Sequence, residues 1–387
     1  MSIYAINLLR QLVAAGHDVT MISQFYGDPD KRRVYGGGPP PAVPGVRVIG
    51  MEALGEQNGG DFERDVDAIV QAIAAEHATA PFDVLHAQYG YPTGWATLLA
   101  AQQLGLTCIV SIQGGDGHWV GSCCETHRTA MVRVLDHASA LLIGGRSFAG
   151  EVHERLGTPV DRFTIVPGAV DTDRFTPGHA REPGAPVRFF YHGRVDRRKG
   201  VLDMLQALPD VAGAWRCTIS GIGPDLEPAR ALATELGLDD RVSFTGYADY
   251  DAVPALYRDH DVFVSPTYAE GFSNTILEAM ASRHAVLSCR SVGVVDCIRD
   301  GENGILVEAG DVPALSRALS RLVADDGLRE RLADAALAEC RRVYSWHAVG
   351  RQIMDIYAAV RNVPPPAGID PHIPVEPCRF RAEPHLL

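Results

Sequence analysis

Apolar positions recur along the chain with two periods in turn. Ile3, Ile6, Leu9, Leu12 and Val13 share one face of a helix predicted over residues 2–15, and Gly16 stops it. Apolar runs of strand length follow at 19–23 and 46–49, separated by a stretch at 26–45 rich in Gly and Pro that reads as loop. Further strands are predicted at 82–87, 107–112, 140–143 and 163–166, with helices at 62–77, 94–104, 129–137 and 148–156 between them. After a linker at 178–186 the alternation starts again. Its strands are predicted at 187–191, 216–220, 242–245, 261–264, 285–288 and 304–307, and its helices at 201–208, 226–236, 253–257, 274–281 and 312–322. A last helix covers 346–360, and the proline-rich residues 363–387 read as a disordered or loosely packed tail. Strand–helix alternation of this kind implies an α/β architecture of two doubly wound parallel sheets, and 387 residues suit two domains. No repeat with a period of 20–50 residues is present; the halves are alike only in pattern.

The chemistry-bearing residues concentrate where the strand at 261–264 ends. A loop carries Glu270, Ser273 is placed to cap a helix over 274–281, and Glu278 lies inside that helix. A helix start offers unpaired N–H groups and partial positive charge, which suits a phosphate. Two carboxylates beside it suit a polyol, since each accepts two hydroxyl hydrogen bonds. A basic loop, His192-Gly193-Arg194-Val195-Asp196-Arg197-Arg198-Lys199-Gly200, follows the first strand of the second half. A departing nucleoside diphosphate gains negative charge, and Arg194 offers it a planar fork while Lys199 offers a point charge. Gly221-Ile222-Gly223-Pro224 ends the next strand, where its glycines allow backbone to approach a ligand. Asp171-Thr172-Asp173 spells an Asp-x-Asp, but two loop aspartates read here as turn formers and not as metal ligands.

Glu270-Gly271-Phe272 at one end and Leu277-Glu278-Ala279-Met280 at the other set two glutamates eight residues apart. This resembles the Glu-x7-Glu signature of GT4, the large family of retaining GT-B glycosyltransferases. Residues 193–200 match the same family's Gly-Arg-x4-Lys-Gly loop, 291–295 its glycine-rich segment near the phosphates, imperfectly, and Pro167-Gly168-Ala169-Val170-Asp171 its inter-domain segment. The resemblance covers most of residues 1–360 and is strongest over 187–310. It implies a GT-B fold, two Rossmann-like doubly wound domains facing across a cleft. Residues 1–178 would form the acceptor-binding domain, 187–345 the nucleotide-sugar domain, and 346–362 a helix crossing back to the first, with the tail at 363–387. It further implies that Glu270 contacts the donor sugar and Glu278 the ribose hydroxyls. The donor would be held by Gly193, Arg194, Lys199, Gly221, Gly223, Glu270, Gly271, Phe272, Ser273, Asn274, Thr275 and Glu278. The catalytic candidates are Arg194, Lys199, Glu270 and His118.

The first half departs from the pattern in two places. Family members open on a strand and a glycine-rich loop; this chain opens on the helix, so a longer protein with a first strand is expected, and with it a break between the strands at 19–23 and 83–87. Family members also often place a histidine after the strand at 107–112, where this chain has Gln113, which can hydrogen-bond a sugar but takes no proton. His118 follows in a flexible glycine-rich loop. The acceptor-binding candidates are Gln113, Asp116, His118, His86 and Tyr89, with core packing as the competing role for His86 and Tyr89.

Composition narrows the picture. A net charge of −13 argues against nucleic acid as partner, whose binding needs a basic face. No apolar run approaches the ~18 residues of a membrane span, and no basic start with an apolar core marks a signal peptide, so the chain reads as cytoplasmic without stable membrane insertion. The eight cysteines form no CxxC pair. His118, Cys123, Cys124 and His127 are ligand types for zinc, but adjacent cysteines fit a tetrahedron poorly, and a reduced loop without metal is expected. Two of the 35 basic residues are lysines, one of them Lys199, an arginine bias compatible with an actinomycete metabolite pathway. The expected partners are a nucleoside-diphosphate sugar and a small soluble acceptor such as an antibiotic or aminocyclitol precursor, with no cofactor and no metal. Alternatives are a cell-envelope glycan or lipid acceptor, a nucleotide-sugar epimerase or hydrolase, and a non-catalytic sugar-nucleotide binder.

Overall fold

A computed structural model describes residues 3–25, 38–53, 61–118, 120–179, 182 and 184–379. Residues 26–37 of the loop expected at 26–45, and the last residues of the tail, 380–387, lie outside the described residues. The chain divides into two compact units, Met1–Pro167 with Gly350–Leu387, and Gly168–Val349.

In the first unit, strands β1 (Val19–Phe25) and β2 (Val46–Glu52) pair in parallel as a two-stranded sheet. Strands β3 (Val84–Ala87), β4 (Thr107–Ile112), β5 (Ala140–Ile143) and β6 (Phe163–Ile165) form a second parallel sheet in that order. β1 and β3 lie in different sheets and do not pair directly. Every residue of β4 is buried, as expected of a parallel strand covered on both faces.

Two expectations for this unit are corrected. Residues 114–118 are not a flexible loop: Gly115–His118 is a helical turn, with Asp116 and His118 buried. The tail is not loose as far as residue 379. The Gln102 amide exchanges two bonds with the Ile369 backbone (3.0 and 2.6 Å), and Arg133 donates to the carbonyls of Asp370 (2.5 Å) and His372 (2.6 Å). The Glu376 N–H donates to Thr126 Oγ1 at 2.7 Å, and Ile369 and Ile373 are buried. Proline lacks a donor but keeps its chain extended, so such a segment presents carbonyls for side chains of the folded unit to grip. A proline count registers the missing donors and not the gripping residues.

In the second unit, six parallel strands are β7 (Val187–His192), β8 (Trp215–Ser220), β9 (Val242–Gly246), β10 (Val262–Ser265), β11 (Ala285–Cys289) and β12 (Ile305–Val307). Their order is β12-β11-β10-β7-β8-β9. Side chains alternate across the sheet. Phe189, Tyr191, Val262, Val264, Ala285 and Leu287 pack into one core, and Phe190, Phe263 and Val286 into another on the opposite face. The chain leaves β7 toward β9 on one side and returns as β10 on the other. The switch of direction therefore falls between β7 and β10, where such sheets leave a crevice at the carboxyl ends of the strands. One helix escapes the sequence pattern, Asp326–Glu339: Arg329 and Glu339 are buried on the same face as Leu328, Leu332, Ala333 and Ala336 and hide its amphipathicity. Asp171, the first residue of the Asp-x-Asp, accepts the N–H groups of Asp173 (3.1 Å) and Arg174 (3.2 Å), the geometry of a turn former.

Candidate active site

The loops after β7 and β10 flank this switch point and carry the two charged candidates that meet. Lys199 Nζ lies 2.6 Å from Glu270 Oε1, with the side chains 32% and 20% exposed. The Tyr268 N–H donates to the Arg198 carbonyl (3.0 Å), and its hydroxyl to Asp203 (2.7 Å), so the two loops are also tied beside that pair. Asp196 organises the rest of the basic loop. It caps the turn Arg197–Lys199 by accepting the Arg198 N–H (2.9 Å), and it binds the Arg198 guanidinium (2.8 Å). Arg194 Nε stands 3.4 Å from the same carboxylate with its side chain half exposed. Arg198, helped by Arg194, holds the Asp196 carboxyl down at about 2 against the effect of burial.

The loop after β8 lies against the loop after β7. The Gly193 N–H donates to the Ser220 carbonyl (3.0 Å) and the Val195 N–H to the Ile222 carbonyl (2.9 Å). A Cβ at Gly221 would overlap the Gly193 carbonyl, and one at Gly223 the Val195 carbonyl. The sequence reading reserves these glycines for a ligand; in the structure the room they leave is filled by the neighbouring loop, which fixes the backbone around Gly193 and Arg194.

The helix Asn274–Ala281 begins where the capping residue predicts, but the Ser273 hydroxyl makes no cap bond and faces Thr275 Oγ1 at 3.2 Å. The first turn of such a helix has no intrahelical acceptors for its N–H groups, which leaves them for a ligand or water. Gly271 is buried, and the Phe272 ring packs at 5.8 Å from Tyr344. Asn274 is exposed at the helix start. Glu278, one turn on, keeps part of its surface open, yet burial raises its carboxyl to about 7. Its Oε2 lies 3.0 Å from the Tyr257 hydroxyl, which is also 3.1 Å from the Thr275 carbonyl. The Tyr257 hydroxyl, which faces both acceptors, donates to the Glu278 carboxyl and opposes part of that rise.

The first unit treats its candidates differently. The two ring nitrogens of His86 lie 2.6 Å from Tyr357 Oη and 2.9 Å from Ser111 Oγ, and burial lowers its pKa to about 4, so it is neutral. The Gln113 amide donates to Gln88 (2.6 Å). Asp116 accepts the N–H groups of Gly90 (2.7 Å) and Gln113 (3.3 Å), and burial raises it to about 7. His118 is buried with Nδ1 2.7 Å from Glu151. Tyr89 differs in being exposed.

Residues 175–338 match the family described as glycosyl transferases group 1, and residues 1–169 match the glycosyl transferase 4-like domain. With both halves matched by glycosyltransferase models, this chain is a glycosyltransferase. The enzyme is 28% identical over 399 residues to the D-inositol 3-phosphate glycosyltransferase of Xylanimonas cellulosilytica, covering 92% of this chain and 91% of the relative. In fold it is similar to sucrose-phosphate synthase from Thermosynechococcus elongatus, with TM-score 0.78 at 22% identity over 92% of each chain. It is also similar to Anabaena HepE, solved in complex with UDP and glucose, with TM-score 0.67 at 16% identity over 81% of this chain and 87% of that one. The architecture of the glycosyltransferase is GT-B.

Sequence reasoning missed several partners of these residues in the glycosyltransferase. Tyr257 reads only as the end of a short helix, although it meets Glu278. Arg174, whose charge opposes the rise of the Glu278 pKa, stacks 3.9 Å from the Tyr250 ring and bonds Asp251 at 2.9 Å. Ser111, Tyr357 and Glu151 are likewise separated from their histidines by 25 to 271 positions, a range at which sequence spacing carries no signal.

Proposed function

We propose that this glycosyltransferase moves a sugar from a nucleoside-diphosphate donor to a hydroxyl of a small polyol, with retention at the anomeric carbon. The Lys199–Glu270 pair at the switch point carries the reading. Bound donor would give Lys199 a diphosphate oxygen in place of Glu270, freeing the glutamate for the sugar's hydroxyls. Arg194, half exposed beside its anchor Asp196, can add a second cation. The diphosphate would lie toward the start of the Asn274–Ala281 helix and the ribose hydroxyls on Glu278. Placed cations then stabilise the charge that develops as the sugar–phosphate bond breaks. The acceptor's proton passes to the leaving phosphate oxygen as the new bond forms on the same face, so His118, buried against Glu151, is not asked to act as a base.

Two likenesses support the substrate classes: a relative named for D-inositol 3-phosphate, and a neighbour crystallised with UDP and glucose. A phosphorylated cyclitol is a charged, soluble polyol of the kind proposed here. The experiment is incubation with UDP- and GDP-sugars and cyclitol or cyclitol-phosphate acceptors, read by mass spectrometry, with the anomeric coupling of the product read by NMR. A product of inverted configuration overturns retention. Release of free sugar regardless of acceptor overturns transfer. Transfer to a lipid or glycan alone overturns the small acceptor. Added Mg2+ or Mn2+ is expected to leave the rate unchanged.

A further inference from the structure

Cys123, Cys124 and His127 do not gather His118, as the sequence suggests; His118 is bonded to Glu151. The fourth group is Cys378, brought in from the tail 251 positions away. The three sulfurs and the imidazole nitrogen all lie within 4.8 Å of one another. His127 Nδ1 is 2.9 Å from Cys123 Sγ and 3.9 Å from Cys378 Sγ. In a tetrahedral zinc site, with Zn–S of about 2.3 Å and Zn–N of about 2.0–2.1 Å, donor atoms stand roughly 3.5–3.8 Å apart. The observed cluster brackets that range, so small side-chain rotations suffice.

We propose that Cys123, Cys124, His127 and Cys378 bind one zinc ion as a closed, structural Cys3His site that fastens the tail to the first unit. The objection from adjacent cysteines is met locally. Cys124, the N-cap of the helix Glu125–His137, keeps an extended backbone, yet its sulfur lies within 4.8 Å of that of Cys123 and of the other two ligand atoms. The Cys124 sulfur accepts the His127 N–H at 3.5 Å, so a thiolate there also meets the positive end of a helix. His127 is fully buried, with its ring 4.8 Å from that of Tyr91, which holds the imidazole in place. A divalent ion ionises the thiols it coordinates outright. On binding, two electrons from each sulfur and from the imidazole nitrogen form the four bonds, and three thiol protons go to solvent.

The site has a consequence for the first half. Cys123 and Cys124 end the segment that carries Gln113, Asp116 and His118, and Asp116 in turn holds the Gly90 N–H beside Tyr91. Zinc would therefore fasten together the tail, the Gly115–His118 segment and the start of the Glu125–His137 helix.

Elemental analysis of the full-length enzyme, purified under reducing conditions without chelator, is expected to find about one zinc per chain. Cobalt substitution should give the visible bands of a tetrahedral thiolate site. Cys378→Ser should weaken zinc retention in a chelator competition by more than the roughly 10–100-fold that loss of an outer-shell partner costs. In the wild type, Cys123, Cys124 and Cys378 should resist alkylation until the metal is removed, a readout that does not depend on the variant folding. No zinc after incubation with ZnCl2 and reductant, full retention in a folded Cys378→Ser, or a disulfide between Cys378 and either neighbour in the native protein would each overturn the site.

Discussion

In the unit Gly168–Val349, Lys199 and Glu270 meet at 2.6 Å in loops still partly open to solvent, and Arg194 stands half exposed beside its anchoring Asp196. In the unit Met1–Pro167 with Gly350–Leu387, the corresponding candidates His86, Gln113, Asp116 and His118 bond to groups of their own unit, and Asp116 and His118 are buried. One unit holds charges in pairs that a ligand can take over. The other uses its polar groups to fix turns, and leaves Tyr89 exposed among the candidates named. Having the residue types of a catalytic site is therefore insufficient. What separates the two is whether the hydrogen-bonding capacity is already used in a dry environment.

The sharpest test sets one residue from each unit against the other. Lys199→Ala should lower kcat by about 10²–10³-fold, the scale of a lost charge-stabilising donor, with the melting temperature little changed. His118→Ala should do the reverse: lower the melting temperature by removing a buried ring and its bond to Glu151, which Arg155 still pairs, and reduce kcat by less than about tenfold. Steady-state kinetics and thermal melts on both variants decide. Equal kcat losses would erase the distinction between the units.

Glu278→Gln should weaken donor binding by about 10–100-fold, as expected for loss of charge-assisted bonds to a diol, measured by calorimetry with UDP. The same change should raise the melting temperature. The carboxyl titrates at about 7 in the fold and near 4.3 unfolded, so between these values the native state holds a proton that the unfolded chain has released. Stability therefore falls as pH rises through that window, and the full cost, about 3–4 kcal/mol, is present above pH 7. Glutamine, which never ionises, escapes it while still accepting from Tyr257. Loss of both stability and binding would mean that Glu278 belongs to the core and not to a site.

A smaller effect follows in the wild type. If the ionised carboxylate is the form that receives the ribose hydroxyls, donor affinity should fall by several-fold as pH drops from 8 to 6, through the value of about 7. In Glu278→Gln that slope should vanish. A slope that survives the substitution assigns it to another group.

How much of this was legible in the sequence depends on distance along the chain. Strand–helix alternation and the helix start at Asn274 rest on neighbouring residues, and the structure places most ends within a residue or two of the pattern, although the helix expected at 129–137 starts at Glu125 and the strand expected at 46–49 runs to Glu52. The break between β1 and β3 also follows from the order of elements. The long helix Asp326–Glu339 is hidden because Arg329 and Glu339 sit on its buried face beside Leu328 and Leu332 and break the apolar pattern. Tyr257 against Glu278, Glu151 against His118, and above all Cys378 against His127 are encounters made by the fold. The sequence groups His118 with Cys123, Cys124 and His127; in the fold Cys378 takes that place and His118 bonds Glu151.

The finest division between the units lies at Asp116. Its carboxylate accepts two backbone N–H groups in a dry setting and is raised to about 7, so it too destabilises the fold as pH rises from about 4 through 7. Asparagine keeps an acceptor for Gly90 and Gln113 and cannot ionise. Asp116→Asn should therefore gain about 2–3 kcal/mol on the wild type between pH 5 and pH 8, by urea denaturation. Asp116→Ala strands both N–H groups and should lose about 1–3 kcal/mol at either pH. If Asp116→Asn keeps its stability yet loses transfer activity, the carboxylate reaches a substrate after all. The first unit would then hold a functional charge in its interior, which its bonding pattern here denies.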